Sequence, residues 1–164
     1  MTASAIVYTS ATGFTARYAQ LLARKAGLPC LALERAKELP GDTPVLYLGW
    51  LCAGGIKGLK KARKRLAVRA VCAVGMAPPE MVSLPRLAED NGLGDTPLFY
   101  LRGGYAPDRL PLPWRVMMAP MARKVARDRT EDPTALAMKE AFAHGGDWVS
   151  PEDLGPVLDW LRRG

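Results

Sequence analysis

AIVYTSATGFTARYAQLLARKAG, residues 5–27, sets a short apolar run against a hydroxyl-rich turn and then a helical period. Residues 5–8 suit a buried strand. After the turn, Phe14, Tyr18, Leu21, Leu22 and Lys25 fall at helical spacing, and Gly27 is the stop. The turn carries the hydroxyls of Thr9, Ser10, Thr12 and Thr15, whereas an ordinary helix start needs only one to accept from an orphan backbone N–H. The surplus predicts a ligand at this turn.

Working outward, the same alternation continues. Residues 28–33 read as a second strand, PGDT as a turn, and residues 44–49 (PVLYLG) as a strand apolar on both faces, the pattern of a buried parallel sheet. After a loop, WLCAGG, the spacing predicts a helix over 56–68. Ile56, Leu59, Ala62 and Leu66 lie on one side of it, with Lys57, Lys60, Lys61, Lys64 and Arg65 largely on a solvated other side. Residues 70–75 form a fourth strand, 80–93 a helix disturbed by Pro85, and 97–101 (PLFYL) a fifth strand.

Farther on, Trp114, Met117, Met118, Met121 and Val125 recur at helical spacing, with a kink expected at Pro120. This methionine group reads as core or as an adaptable binding surface, and the neighbouring Arg115, Arg123, Lys124, Arg127 and Arg129 would make the helix basic and amphipathic. Asp132-Pro133 opens a helix to about residue 142. His144, the one histidine, reads as a loop residue near a helix end. Ser150, Pro151 and Asp153 then announce a final helix with Leu154, Val157, Leu158 and Leu161 on one face. Strands alternating with helices predict one α/β domain with a five-stranded parallel sheet in the doubly wound order 2-1-3-4-5.

A chain of 164 residues is long enough to bury one sizeable core. The start MTASAIVY has no basic n-region and too short an apolar run for a signal peptide or membrane span, so a cytoplasmic location is expected. Cys30, Cys52 and Cys72 form no C-x-x-C pair and no metal spacing; Cys30 and Cys72 read as small buried side chains. Twenty-three Lys and Arg against sixteen Asp and Glu give a net charge of +7, which favours anionic partners. Nucleic acid is the weakest of these, because no aromatic residues interleave the basic run to form a stacking platform. Paired carboxylates and nucleophile-elbow motifs are missing from the sequence.

In a doubly wound sheet of this order, ligands bind in the crevice between the carboxyl ends of strands 1 and 3. The hydroxyl-rich turn stands at the edge of that crevice. N–H groups at the start of its helix, with the positive end of the helix dipole, make an anion site; Ser10, Thr12 and Thr15 add donors and Gly13 permits close approach. The Gly-Lys-Ser/Thr of a P-loop and the G-x-G-x-x-G of a dinucleotide fold are both missing from the turn. A cradle of neutral donors remains, suited to a monophosphate.

Ser10-Ala11-Thr12-Gly13-Phe14-Thr15 matches the S/T-x-T-G-x-T phosphate loop of the flavodoxins at every specified position and at the right place in the chain. The wider layout, from VLYLGWLCAGGIKGLKKARKRL to FYLRGGYAPDRLPLPWRVMM, resembles the flavodoxin-domain group that includes menaquinone-dependent protoporphyrinogen oxidase. The resemblance implies a flavodoxin-like three-layer sandwich and FMN as cofactor. It implies that Trp50, Leu51, Cys52, Ala53, Gly54 and Gly55 lie along the flavin ring, and that the loop of Gly75, Met76 and Ala77 closes its other side. Trp50 offers a face for stacking, with ordinary packing at the sheet's end as the rival reading.

The chain departs from the flavodoxin pattern in being basic and in lacking an aromatic residue in the loop after strand 4. Weaker flavin affinity is expected from that gap, which Tyr105 or Trp114 could fill. Two functions from different classes follow. The first is an FMN-dependent redox protein that passes electrons to a quinone or a protein partner, with peripheral contact to an anionic membrane. The second is a flavodoxin-fold binding module that has lost FMN and holds an acidic partner, a membrane surface or nucleic acid through its basic helices.

Overall fold

Ile6 and Val7 are wholly buried, one on each face of an interior strand, and the layers of the fold follow from that alternation. The computed structural model describes residues 2–127 and 133–163. Along the chain run β1 (Ala5–Thr9), α1 (Phe14–Ala26), β2 (Cys30–Ala32), β3 (Pro44–Cys52), β4 (Gly55–Ile56), α2 (Leu59–Arg63), β5 (Ala67–Gly75), α3 (Leu84–Asp90) and β6 (Leu98–Arg102). They are followed by β7 (Gly104–Tyr105), α4 (Leu112–Arg127), α5 (Pro133–His144), β8 (Gly146–Asp147) and α6 (Gly155–Arg162).

The main sheet has the order β2-β1-β3-β5-β6, all parallel, which is the doubly wound order 2-1-3-4-5 when its parallel strands are counted in sequence. α1, α6 and the turn just before α6 cover one face through Tyr18, Leu22, Leu154, Val157 and Leu161, packed on Ile6, Leu46, Leu48, Cys72 and Leu101. α2 and α3 cover the other through Leu59, Ala62 and Leu87, packed on Val7, Val45, Tyr47 and Val71. Each fully buried Leu or Val contributes roughly 1.5–3 kcal/mol relative to exposure. The expected three-layer α/β sandwich is present, flavodoxin-like in strand order.

Several element boundaries differ from the sequence expectation. The loop WLCAGG is a hairpin: β3 runs on to Cys52, and β4 pairs back on it antiparallel. The helix expected over 56–68 shortens to Leu59–Arg63, because Gly58 opens it at φ +79° and residues 67 and 68 pair with Pro44 and Val45. Ile56, Leu59, Ala62 and Leu66 are nevertheless all buried. The third helix starts only at Leu84; Ser83 caps it by accepting from the Arg86 N–H at 3.4 Å, and Pro85 sits harmlessly in the first turn.

Ser150 makes no side-chain cap, since its hydroxyl bonds Glu152; a 3-10 turn at Pro151–Leu154 precedes α6. α4 continues through Pro120. The cap expected at Asp132 and the charge at Arg129 lie outside the described residues. α4 and α5 form an excursion whose base is closed by β7 and β8, with Tyr105 opposite Gly146. Among the described residues no helix is long and apolar enough to cross a membrane.

Candidate functional site

The hydroxyls of the first turn divide their tasks. Thr9 Oγ1 lies 2.7 Å from the Tyr47 hydroxyl, which donates to the Lys57 carbonyl at 2.5 Å; burial pushes the Tyr47 phenol up to about 12. Ser10 Oγ accepts from the Gly13 N–H at 3.1 Å and so shapes the turn. Gly13 adopts φ +100° with open space where a side chain would project. That leaves Thr12 and Thr15, which line a cleft. α1 has no side-chain cap and no acidic residue in its first turn, so its leading N–H groups and positive dipole end are left for an anion.

The cleft is open to solvent and has a cavity volume of about 110 Å³. Its walls come from four segments at the carboxyl ends of the strands: Ala11, Thr12, Phe14 and Thr15; Trp50 and Leu51; Val74, Gly75 and Met76; and the stretch after β6 carrying Gly104, Tyr105, Ala106 and Leu110. Gly104 leaves room for the Phe14 ring, which a Cβ there would approach to 2.6 Å. The loop after β5 is held by β6 side chains. Arg102 Nε donates to the Met76 carbonyl at 3.0 Å, and the Tyr100 hydroxyl donates to Ala77 O at 2.7 Å.

Trp50 meets Trp114 edge to face, with ring centroids 5.3 Å apart and an interplanar angle of 86°. The Lys57 ammonium lies 4.1 Å from the Trp114 ring centre and 5.9 Å from that of Trp50. Of the two aromatic residues expected near the gap, Tyr105 lines the cleft directly and Trp114 packs on Trp50. Lys57 thereby leaves the solvated face expected for it. Arg65, which bonds the carbonyls of Lys37 and Leu39, and Arg63, which bonds that of Gly92, also make specific contacts.

Of the residues singled out from sequence, Ala11, Thr12, Phe14, Thr15, Trp50, Leu51, Gly75 and Met76 come together on the cleft. Ser10, Gly13 and Ala77 support its loops. Cys52, Ala53, Gly54 and Gly55 belong to the β3–β4 hairpin instead: Ala53 (φ +50°) and Gly54 (φ +81°) make its turn. The Asn91 side chain fastens this hairpin, donating to Gly54 O and accepting from the Ile56 N–H, each at 2.9 Å.

Sequence reasoning missed Val74, Ala106 and Leu110 on the walls, and Arg109, whose Nη1 donates to the Thr12 carbonyl at 3.4 Å. None carries a local motif, and Arg109 reaches the turn from a distant part of the chain. Beside it, Arg17 and Asp147 form an ion pair at 2.6 Å on the rim of a polar recess that also includes the exposed His144. Burial alone would raise the Asp147 carboxyl, but the Arg17 guanidinium, the Val149 N–H and the charge of Arg109 outweigh it and hold it below the usual range. Among the described residues no group of His, Cys, Asp and Glu could hold a metal ion.

Set against known proteins, the chain matches no family model and no curated protein sequence.

Proposed function

We propose that this chain is an FMN-binding redox protein, with the cofactor phosphate at the turn between β1 and α1 and the flavin ring against Trp50. One observation carries the reading: a complete S/T-x-T-G-x-T turn presents Thr12 and Thr15 to the same cleft that Trp50, Met76 and Tyr105 line. Its position at the β1/β3 switch point is where sheets of this order bind ligands. Bound FMN supplies the electron and hydride chemistry.

The chain's own residues do the rest. Ser10 and Gly13 hold the turn open; Thr12, Thr15 and the leading N–H groups of α1 meet the phosphate. Leu51, Val74 and Leu110 keep water from the cleft floor, and Trp50 and Tyr105 offer aromatic faces to the ring.

The acceptor in this reading is a quinone or a protein partner, and the oxidoreductase version resembles the protoporphyrinogen oxidase group. Support for a membrane quinone comes from α4, where Leu112 (67 % exposed), Val116 (64 %) and Met117 (48 %) stand out beside Arg115, Arg123, Lys124 and Arg127. Such a surface suits peripheral contact with anionic lipid.

Titrating the chain into FMN and following the loss of flavin fluorescence tests the reading. Saturation by FMN, with riboflavin binding about tenfold or more weakly, supports it. Equal affinity for both rejects the phosphate assignment, and no binding of either favours the module that has lost its cofactor.

A further inference from the structure

Lys57 is held more firmly than a lysine on a helix face. Its N–H donates to the Trp50 carbonyl at 3.0 Å and its own carbonyl accepts from Tyr47 at 2.5 Å, so its backbone is tied on both sides. Its ammonium rests on the Trp114 ring at 4.1 Å, and the Trp50 ring is 5.9 Å away. Its side chain is half-buried, whereas Lys60, Lys61 and Lys64 of the same basic run are exposed. Among the described residues no carboxylate forms an ion pair with Lys57.

We infer that Lys57 sets the reduction potential of the bound cofactor, as a cation clamped by the Trp50–Trp114 pair beside the cleft. The inference rests on the FMN reading above. Reduction by two electrons with uptake of one proton adds one negative charge to the ring; in the test below the electrons come from the titrating reductant and the proton from water. Trp50, whose ring centre is 5.9 Å from the ammonium, lines the cleft. In such partly dehydrated surroundings a charge acts more strongly than in water, and salt screens it less than it screens the exposed lysines. A fixed cation near the ring is one of the means by which a protein tunes a flavin. Lys57 is therefore a positioning residue for charge, acting through Trp50.

Potentiometric titration of the FMN-loaded protein tests this, with wild type compared to Lys57→Met, Lys57→Arg and Lys60→Met and each fold checked by circular dichroism. Lys57→Met is expected to loosen reduced relative to oxidised FMN about tenfold, a potential ~30 mV more negative for a two-electron couple. Lys57→Arg and Lys60→Met should stay close to wild type. Lys57→Gln serves as the second neutral variant if the methionine chain does not fold. A shift of equal size in Lys60→Met overturns the inference, because net charge alone then accounts for it; an unchanged potential in the neutral Lys57 variants overturns it too. Wild type that retains no FMN rejects the cofactor reading and this inference together, whereas retained FMN with an unmoved potential rejects only the role of Lys57.

Discussion

The hydroxyls of Tyr47 and Thr9 lie 2.7 Å apart and tie β3 to the start of the turn between β1 and α1. Two of the turn's hydroxyl residues, Thr9 and Ser10, thus serve the fold, and the other two, Thr12 and Thr15, face the cleft.

That division is testable by substitution. Thr9→Val and Ser10→Ala should each cost about 1 kcal/mol of stability, lowering the thermal midpoint by roughly 3 °C, with FMN affinity unchanged in Thr9→Val. Thr12→Val should do the reverse, weakening FMN by about tenfold or more with the midpoint unmoved, since hydrogen bonds to charged groups contribute ~1.5–3 kcal/mol. Thermal melts and FMN titrations on the three variants check it; a Thr12 variant with wild-type affinity contradicts the assignment.

Gly58 and Gly13 both adopt positive φ, but their surroundings differ. A Cβ at Gly58 would run into the Tyr47 hydroxyl, stand 2.5 Å from Thr9 Oγ1 and 2.8 Å from Leu33 Cδ2; at Gly13 nothing lies within 4 Å. Gly58→Ala should therefore destabilise by about 3 kcal/mol or more, and Gly13→Ala by only the ~1–2 kcal/mol of backbone strain. Urea melts rank the two, and equal midpoints would contradict the packing described around Tyr47.

Much of this was legible in the sequence because local chemistry and tertiary role agree there. The apolar run of β1, the hydroxyl turn and the Gly27 stop each act within a few residues, so the first strand, the helix and the turn between them could be read directly. The β3–β4 hairpin could not. Ala53 gives no sign that it will take φ +50°, and the Asn91 side chain that fastens the turn lies far along the chain. Likewise the basic run looked like a solvated helix because its apolar period is intact; strand pairing of residues 67 and 68 and the left-handed Gly58 overrode the helical preference. Leu110 lines the cleft and Arg109 reaches the Thr12 carbonyl from beyond β7, and no local pattern announces either contact.

The Arg17–Asp147 pair gives a pH dependence of definite sign. Because the Asp147 pKa is lowered in the folded chain, the pair's stabilisation is fully present above the ordinary aspartate value near 3.9 and is lost as pH falls through the lower folded value. Both side chains are about half exposed, at 50 % and 51 %, so the loss is expected to stay well below ~1 kcal/mol. An NMR titration of the Asp147 carboxyl should show its pKa rising in Arg17→Met. An unchanged value would contradict the pairing.

Thiol chemistry separates the cysteines. Cys72 is fully buried between β3 and β6, and burial pushes its thiol far up; Cys30 is partly buried and raised for the same reason. Cys52 is partly exposed at the end of β3. Native alkylation with iodoacetamide, followed by mass spectrometry, should modify Cys52 first and Cys72 only after unfolding. Early labelling of Cys72 would contradict the described core.

The most direct measurement is an absorbance spectrum of the purified chain after incubation with excess FMN and passage through a desalting column. Flavin bands should remain with the protein and be lost in Thr12→Val. A folded chain, by circular dichroism, that emerges without flavin would contradict it.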